Sequence, residues 1–310
     1  MSWHRDGYVV ATSLLRGTLI DALNQEFRED ILPSGDVLLR QPRFAREVGP
    51  REYPHAYLAA HELTPFGHMK QGLKDPHVLA SHPSIAGLCL RMLCGAEVQQ
   101  ALAALDVRYS TYELYQSMLF DANPGTESHQ DCFYIDTEPR GSLVGIWIAL
   151  EDIDERAGRF YLVKGSHRLG YALPEGMKNA DYLRLIESRV QGMADSIVAP
   201  ALRKGDAIFW HGDLIHGAHP VTDEKFSRKS ITAHYVPHGL VGRGNARILS
   251  NRVMRVASGM PYVVTTKPDP AGRRVKSSHT HSVEVDGSQI CFRCIETADG
   301  ERVAIVEAQI

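Results

Sequence analysis

Gly141-Ser142-Leu143-Val144-Gly145-Ile146-Trp147-Ile148-Ala149-Leu150 is the stretch on which the fold class turns. Val144, Ile146, Ile148 and Leu150 alternate with Gly145, Trp147 and Ala149, and both sets are apolar. An amphipathic helix would show one apolar stripe with a period near 3.6. A short run that is apolar on both alternate faces is a strand buried on both sides. Similar strands surround it at 112–120, 160–163, 207–211 and 229–236. Turn residues punctuate them, such as Ala157-Gly158-Arg159 and Arg203-Lys204-Gly205-Asp206. This spacing predicts a mainly β protein with a sandwich or jelly-roll core.

Upstream, Tyr8-Val9-Val10 reads as a strand, and Leu15, Leu19, Leu23 and Phe27 fall near helical spacing. Residues 33–56, rich in Pro, Gly and Arg, read as a long loop. Residues 77–94 read as a helix packed with Leu79, Ile85, Leu88, Leu90 and Leu93. Residues 181–191 read as another, stopped by Gly192. These helices are expected on the outside of the β core. Downstream, 283–310 reads as a small antiparallel meander, with Asp286-Gly287 and Asp299-Gly300 as tight turns. No linker separates it, so residues 1–282 form the main domain and 283–310 an extension of that domain and its sheet.

A chain of 310 residues can bury a substantial core without covalent staples. Its five cysteines are an odd number in a chain of this size, which argues against a disulfide framework. The start, Met1-Ser2-Trp3-His4-Arg5-Asp6-Gly7, lacks the apolar stretch of a signal peptide, and no apolar run approaches a membrane span. A cytoplasmic location follows as an expectation. A net charge of -3 gives no general reason to propose nucleic acid as a partner. The expected partner is a small-molecule substrate, with no membrane and with the chain as monomer or homodimer.

Two ligand-type side chains stand at i and i+2 in His129-Gln130-Asp131. On a strand they project to one face, so imidazole and carboxylate can meet one metal. His216, in Trp210-His211-Gly212-Asp213-Leu214-Ile215-His216, is the candidate third ligand, brought alongside by a rolled sheet. Two histidines and one carboxylate on one face leave open positions opposite, the arrangement of non-haem iron(II) oxygenases. Alone, the short His-x-Asp pattern is weak in a chain with 15 histidines. Arg228, opening Arg228-Lys229-Ser230-Ile231-Thr232-Ala233-His234-Tyr235, strengthens it, because a guanidinium fork suits a carboxylate.

With these residues in order, the chain resembles the phytanoyl-CoA dioxygenase family of iron(II)/2-oxoglutarate oxygenases over roughly residues 5–240. The resemblance is carried by Asp6-Gly7-Tyr8-Val9-Val10, His129-Gln130-Asp131, Trp147-Ile148-Ala149-Leu150-Glu151-Asp152-Ile153, Gly158 and Lys164-Gly165-Ser166-His167-Arg168. Lys204-Gly205-Asp206-Ala207, His216-Gly217-Ala218 and Arg228 complete it. It implies a double-stranded β-helix (jelly-roll, cupin-like) core with flanking helices. It implies iron(II) on His129, Asp131 and His216, with 2-oxoglutarate as cosubstrate and O2 as oxidant. It implies that Arg228 clamps the distal carboxylate of 2-oxoglutarate, and that Gln116, Ser117, Met118, Gln130 and Trp147, with Ser230, line the cosubstrate pocket. Ala218 departs from the pattern, since a hydroxyl often stands two residues after the distal histidine.

The expected reaction is hydroxylation of an unactivated C–H bond in a small metabolite, anionic or of secondary metabolism, with release of succinate and CO2. Desaturation, epoxidation or cyclisation would use the same ligands. Asp131 disfavours halogenation, because related halogenases vacate that position for chloride. A cupin-like enzyme without 2-oxoglutarate, or a non-catalytic metabolite-binding protein, is opposed by Arg228 and by the complete ligand set. Tyr134, Phe133 and His211 are candidate substrate contacts, Tyr134 ahead of Phe133 because strand neighbours alternate. Cys291-Phe292-Arg293-Cys294 with His279 and His281 fits no strong zinc spacing. Residues 225–276 hold eleven Lys or Arg and one acid, Asp269, an asymmetry that would attract an anionic substrate.

Overall fold

The computed structural model describes residues 2–34, 38–41, 56–58, 62–79, 81–170, 177, 179–244, 253–264, 279–286, 288–296 and 302–306. The chain opens with α1 (Ser2–Asp6), β1 (Tyr8–Ala11) and α2 (Gly17–Glu26), and α2 runs on through a π turn at Phe27–Ile31. Next come β2 (Leu38–Gln41), β3 (Ala56–Leu58), β4 (Gly72–Lys74), α3 (Pro83–Leu93) and α4 (Ala96–Leu105). The β-rich part holds β5 (Tyr112–Phe120), β6 (Ile135–Glu138), β7 (Val144–Ala149) and β8 (Phe160–Val163). After α5 (Asn179–Gly192) follow β9 (Ile197–Val198), β10 (Ala207–His211), β11 (His216–Ala218) and β12 (Ser230–Pro237). The chain continues as β13 (Val241–Gly244), β14 (Val253–Ala257), β15 (Met260–Val264), β16 (His279–Val285), β17 (Ser288–Glu296) and β18 (Arg302–Val306).

A 10-stranded sheet runs β1-β10-β7-β12-β5-β4-β2-β3, with β15 and its partner β14 joined to β5. Along this path the pairings are antiparallel, and only the β15–β5 contact is parallel. A second sheet, β11-β8-β9, has three strands. Two rolled sheets with helices outside one of them make the double-stranded β-helix expected from the sequence, in a larger and more mixed form.

The decisive strand β7 is buried throughout, and its two apolar sets enter two different cores. Val144, Ile146 and Ile148 pack with α2 and α3 residues such as Leu23 and Leu88. Trp147 and Ala149 face Phe160, Leu162, Ile208 and Trp210 between the sheets. Strand β12 divides in the same way. Ile231, Ala233 and Tyr235 join the helical core. The alternate residues Ser230, Thr232 and His234 are also buried, and they face the space between the sheets. Tyr235 spans to the end of α3, where its hydroxyl donates to the Leu93 carbonyl at 2.8 Å.

Several expectations need correction. The 33–56 loop contains β2 and leads into β3, although most of it lies outside the described residues. The helix expected from 77 starts only at Pro83, because Pro76–Val78 forms a 3-10 turn. Helix α4 was not anticipated. Val98, Leu102 and Leu105 bury its i, i+4, i+7 stripe, behind a break at Cys94-Gly95. Residues Pro83–Leu105 are apolar and long enough, by length and composition alone, to cross a membrane, contrary to the sequence expectation. They form two helices, and much of the stretch is buried in the core. The tail does not extend the main sheet. It forms its own antiparallel sheet, β16-β17-β18, alongside α2 and α3. The strands β16 and β17 pair as a hairpin, with Val285 opposite Ser288 and Asp286 at φ +54°, while Gly287 lies outside the described residues. Asp299-Gly300 lies outside the described residues.

Gly145 shows how tightly the inter-sheet face is packed. A Cβ there would overlap the Trp210 indole, which lies directly across the register. We expect Gly145→Ala to cost about 1–3 kcal/mol, the usual penalty for overpacking. A fall in the urea midpoint with unchanged m, followed by tryptophan fluorescence, checks it, and a wild-type midpoint refutes it.

Candidate metal centre

The three predicted ligands come together. Among the described residues, His129, Asp131 and His216 bring one ligand atom each to within 4.8 Å of one another. The first and third are joined by a two-way backbone bridge. His129 N donates to His216 O at 2.9 Å, and His216 N to His129 O at 3.0 Å. In such an antiparallel pair the residues stand directly opposite and their side chains share a face. The rings are 4.3 Å apart between centroids.

Asp131 reaches the same face by a route that differs from the strand expected. Gln130 is extended, with φ -115° and ψ 131°, but Asp131 opens the 3-10 turn Asp131–Phe133. The i, i+2 rule therefore holds only as far as the carboxylate. Beyond it the turn, not a pleat, directs Phe133 and Tyr134. Phe133 stacks on Tyr182 of α5 with centroids 3.7 Å apart. Tyr134 places its ring 5.9 Å from that of His129.

Both histidines present the same nitrogen. His129 Nδ1 donates to Glu127 O at 2.8 Å, and His216 Nδ1 donates to Leu214 O at 2.9 Å. A carbonyl can only accept, so each Nδ1 holds the proton and each Nε2 offers a lone pair. These Nε2 atoms lie 3.4 and 3.6 Å from Asp131 Oδ1. The other carboxylate oxygen, Oδ2, accepts from Trp210 Nε1 at 2.8 Å and lies 3.0 Å from His234 Nε2. Burial pushes the Asp131 carboxyl up, but His234, His216 and His129 outweigh it and hold the group well below the usual carboxylate range. Burial lowers His216 to about 4. At neutral pH Asp131 is thus an anion beside a neutral His216, the protonation states a divalent cation requires.

Arg228 lies just before β12 and is 3 % exposed. Its Nη1 donates to Gly158 O at 3.1 Å, while its buried Nε has no hydrogen-bond partner among the described residues. Among the described residues no carboxylate pairs with it. Burial lowers the guanidinium to about 9, which leaves it cationic at neutral pH. Gly158, at φ +75°, makes the turn that delivers this carbonyl, and a side chain there would collide with His219 O.

The remaining predicted residues divide. Gln116 and Met118 of β5 lie across from His234 and Thr232, so both belong to the inward face. Trp147 pairs with Thr232 and packs beside Phe160, with centroids 6.0 Å apart. Ser230 is fully buried on the same face. Ser117 points the other way, 2.6 Å from His77 Nδ1, as the pleat demands. Gln130 turns its amide to the Asp213 carbonyl, away from the ligands beside it. His211 sits beside Trp3, His167 and Asp213 rather than the ligands. Of the basic stretch, Arg247, Arg252, Lys267, Arg273, Arg274 and Lys276 lie outside the described residues.

Sequence reasoning missed four contributors. His234 and Trp210 reach the carboxylate directly. Lys74, buried in β4, donates to Gln116 Oε1. Tyr182 clamps the backbone between the ligands, accepting from Gln130 N at 2.6 Å and donating to Gln130 O at 3.1 Å. Even spacing from Arg228 through Ser230 and Thr232 was a usable signal for His234. The others needed register and helix placement.

A double-stranded β-helix with two histidines and one carboxylate on its inner face is the scaffold of mononuclear non-haem metal oxygenases. Residues 3–230 match the family model for phytanoyl-CoA dioxygenase (PhyH), and the chain belongs to this family. Phytanoyl-CoA dioxygenase domain-containing protein 1 of Danio rerio is 30% identical over 128 residues, 39% of this chain and 44% of that protein. Phytanoyl-CoA dioxygenase 1 of Oryza sativa subsp. japonica is 30% identical over 135 residues, 39% of this chain and 43% of that protein. The alignments thus span less than half the length of these relatives. Among solved structures, the non-haem alpha-ketoglutarate-dependent carbocyclase SnoK from nogalamycin biosynthesis shares the fold with TM-score 0.56 and 18% identity, over 79% of this chain and 85% of SnoK. EctD from S. alaskensis, solved with 2-oxoglutarate and 5-hydroxyectoine, does so with TM-score 0.52 and 19% identity, over 76% of this chain and 74% of EctD.

The low value of His216 has a consequence for stability. Between its folded value of about 4 and an unfolded value near 6.5, the unfolded chain binds more protons. Stability therefore rises with pH across that window and is lost on acidification. Asp131, held low in the folded state, extends the loss at still lower pH. We expect the Tm of metal-free protein to fall from pH 7 to pH 4.5, and His216→Gln to flatten that slope. Equal slopes in the two proteins would refute the assignment.

Proposed function

We propose that this protein is an iron(II)/2-oxoglutarate-dependent oxygenase that hydroxylates a C–H bond of a small metabolite. One observation carries the reading beyond a generic metal site. Arg228 is a buried cation with no carboxylate partner among the described residues, on the inward face that also presents Ser230 and His234. A buried charge without a counterion is costly. A dicarboxylate lying along this face supplies the counterion, with its far end on Arg228.

With 2-oxoglutarate and O2, iron(II) on His129, Asp131 and His216 supplies oxidative decarboxylation to succinate and CO2, coupled to substrate oxidation. The chain's own part is to orient and to exclude water. Trp147, Phe160 and Trp210 form an apolar wall, with the Phe160 and Trp210 rings 5.4 and 5.0 Å from that of His216. This wall keeps bulk water from the inner side of the site. Tyr134, at 5.9 Å from the His129 ring, stands where a substrate would meet the ligands. Asp131 fills the carboxylate position, so an exogenous halide has no vacated place beside the histidines.

Anaerobic addition of iron(II) and 2-oxoglutarate should give a weak visible charge-transfer band, and air should then release succinate. His129→Ala and Asp131→Ala should abolish both, and full turnover by either variant sinks the reading. Arg228→Met should raise the 2-oxoglutarate concentration needed by on the order of 100-fold, since it removes charge-assisted hydrogen bonds. The band should return at high 2-oxoglutarate. An unchanged requirement would remove Arg228 from the site.

A further inference from the structure

We propose that Lys74, Gln116 and His234 form a directional relay, two hydrogen bonds ending in one close N–H contact, that makes His234 a positioning residue for Asp131, so that the carboxylate binds metal through Oδ1 alone. The proposal rests on the reading of His129, Asp131 and His216 as metal ligands.

The direction of the relay follows from what each group can donate. Lys74 has only donors, so the Gln116 atom facing it is the carbonyl Oε1. This fixes the amide and turns Gln116 Nε2 to His234 Nδ1 at 2.9 Å. An amide nitrogen donates, so Nδ1 accepts and the imidazole proton sits on Nε2. That nitrogen lies 3.0 Å from Asp131 Oδ2. The N–H points off the line to the oxygen, so this is a close N–H dipole contact to the carboxylate and not an aligned hydrogen bond. Trp210 Nε1 adds a second, well-aligned donor to the same oxygen at 2.8 Å.

The two carboxylate oxygens are therefore unequal. Oδ2 accepts a hydrogen bond from Trp210 and has the His234 Nε2–H close beside it. Among the described residues, Oδ1 faces the Nε2 lone pairs of His129 and His216, at 3.4 and 3.6 Å. A carboxylate held in this way gives one oxygen to a cation. A freed carboxylate could rotate to give two, closing a position that a bidentate cosubstrate or O2 needs.

The layout of the sheet supports a built relay. Lys74 is held by its place in β4, paired to Met118, and by Asp75 Oδ1 at 3.8 Å. Gln116 and His234 are register partners across β5 and β12. Gly145, the partner of His234 on the other side, leaves room for the Trp210 ring. Three strands and one glycine thus converge on a single oxygen.

The test uses the whole chain and two probes, iron(II) and cobalt(II), without substrate or 2-oxoglutarate. His234→Phe keeps the ring and removes the donor. It should weaken iron(II) binding by roughly tenfold, within the range for loss of an outer partner of a metal ligand. It should also change the visible spectrum of the cobalt(II) form, which reports coordination number. His234→Gln, which returns an N–H near the Nε2 position, should recover most of the affinity and the parent spectrum. Gln116→Leu should shift both readouts in the same direction. Tyr235→Phe, on the opposite face of the same strand, should leave the cobalt spectrum as in the parent and so controls for damage to β12. The relay is overturned if His234→Phe, or Gln116→Leu should the former not fold, binds iron(II) within twofold of the parent with an unchanged cobalt spectrum. Failure of the parent itself to bind either metal overturns the reading of the triad, and the relay falls with it.

Discussion

A carboxylate buried from water must be compensated, and the two oxygens of Asp131 meet opposite kinds of neighbour. Two imidazole lone pairs face one oxygen and two ring N–H groups face the other. The first pair does not stabilise the anion by itself, since a lone pair beside an oxygen repels it. The arrangement makes sense only with a cation between them or a proton shared among them. Much of the inner architecture is arranged around this requirement. The His129–His216 bridge sets the ligand rings side by side, Trp210 needs Gly145 beneath it, and Tyr182 holds the backbone between the ligands.

The period of two in a β-strand lets one segment serve both stability and site. Ile231, Ala233 and Tyr235 of β12 pack against the helices, while Ser230, Thr232 and His234 face inward with Arg228 just before them. Strand β7 repeats the division, with Ile146 and Ile148 outward and Trp147 inward. A one-residue slip of either strand would expose the core face and empty the site together. The outer hydrophobic contacts, which carry most of the stabilisation, thereby fix the register on which the inner polar contacts depend.

This division also explains what was legible in the sequence. The strands could be read because apolar alternation is local, and the ligand set because His129 and Asp131 are close in the chain and Arg228 follows His216. Residues whose roles depend on register were harder. Ser117 and Gln116 are neighbours in the sequence, yet the pleat sends one to His77 and the other to His234. Gln130 stands between two ligands and is turned from both by the same alternation. Trp210 was visible only as a neighbour of His211, and its partner Asp131 lies far away in the chain. Helix α4 escaped because Cys94-Gly95 looks like an ending, although it joins two helices.

The histidines show how far local and non-local constraints differ in reach. His129 and His216 each take their tautomer from a carbonyl two residues earlier, so the orientation travels with the segment and survives small movements of the sheet. His234 has no such local acceptor. Its proton is placed by Gln116 on the neighbouring strand, and Gln116 is placed in turn by Lys74 on the next. A ligand set of this kind can be encoded in short motifs, whereas the group that fixes the carboxylate is encoded in the pairing of three strands. The lone pairs that meet the metal are therefore robust to changes in the outer loops. The choice of which carboxylate oxygen meets it is sensitive to any change in the β4–β5–β12 register.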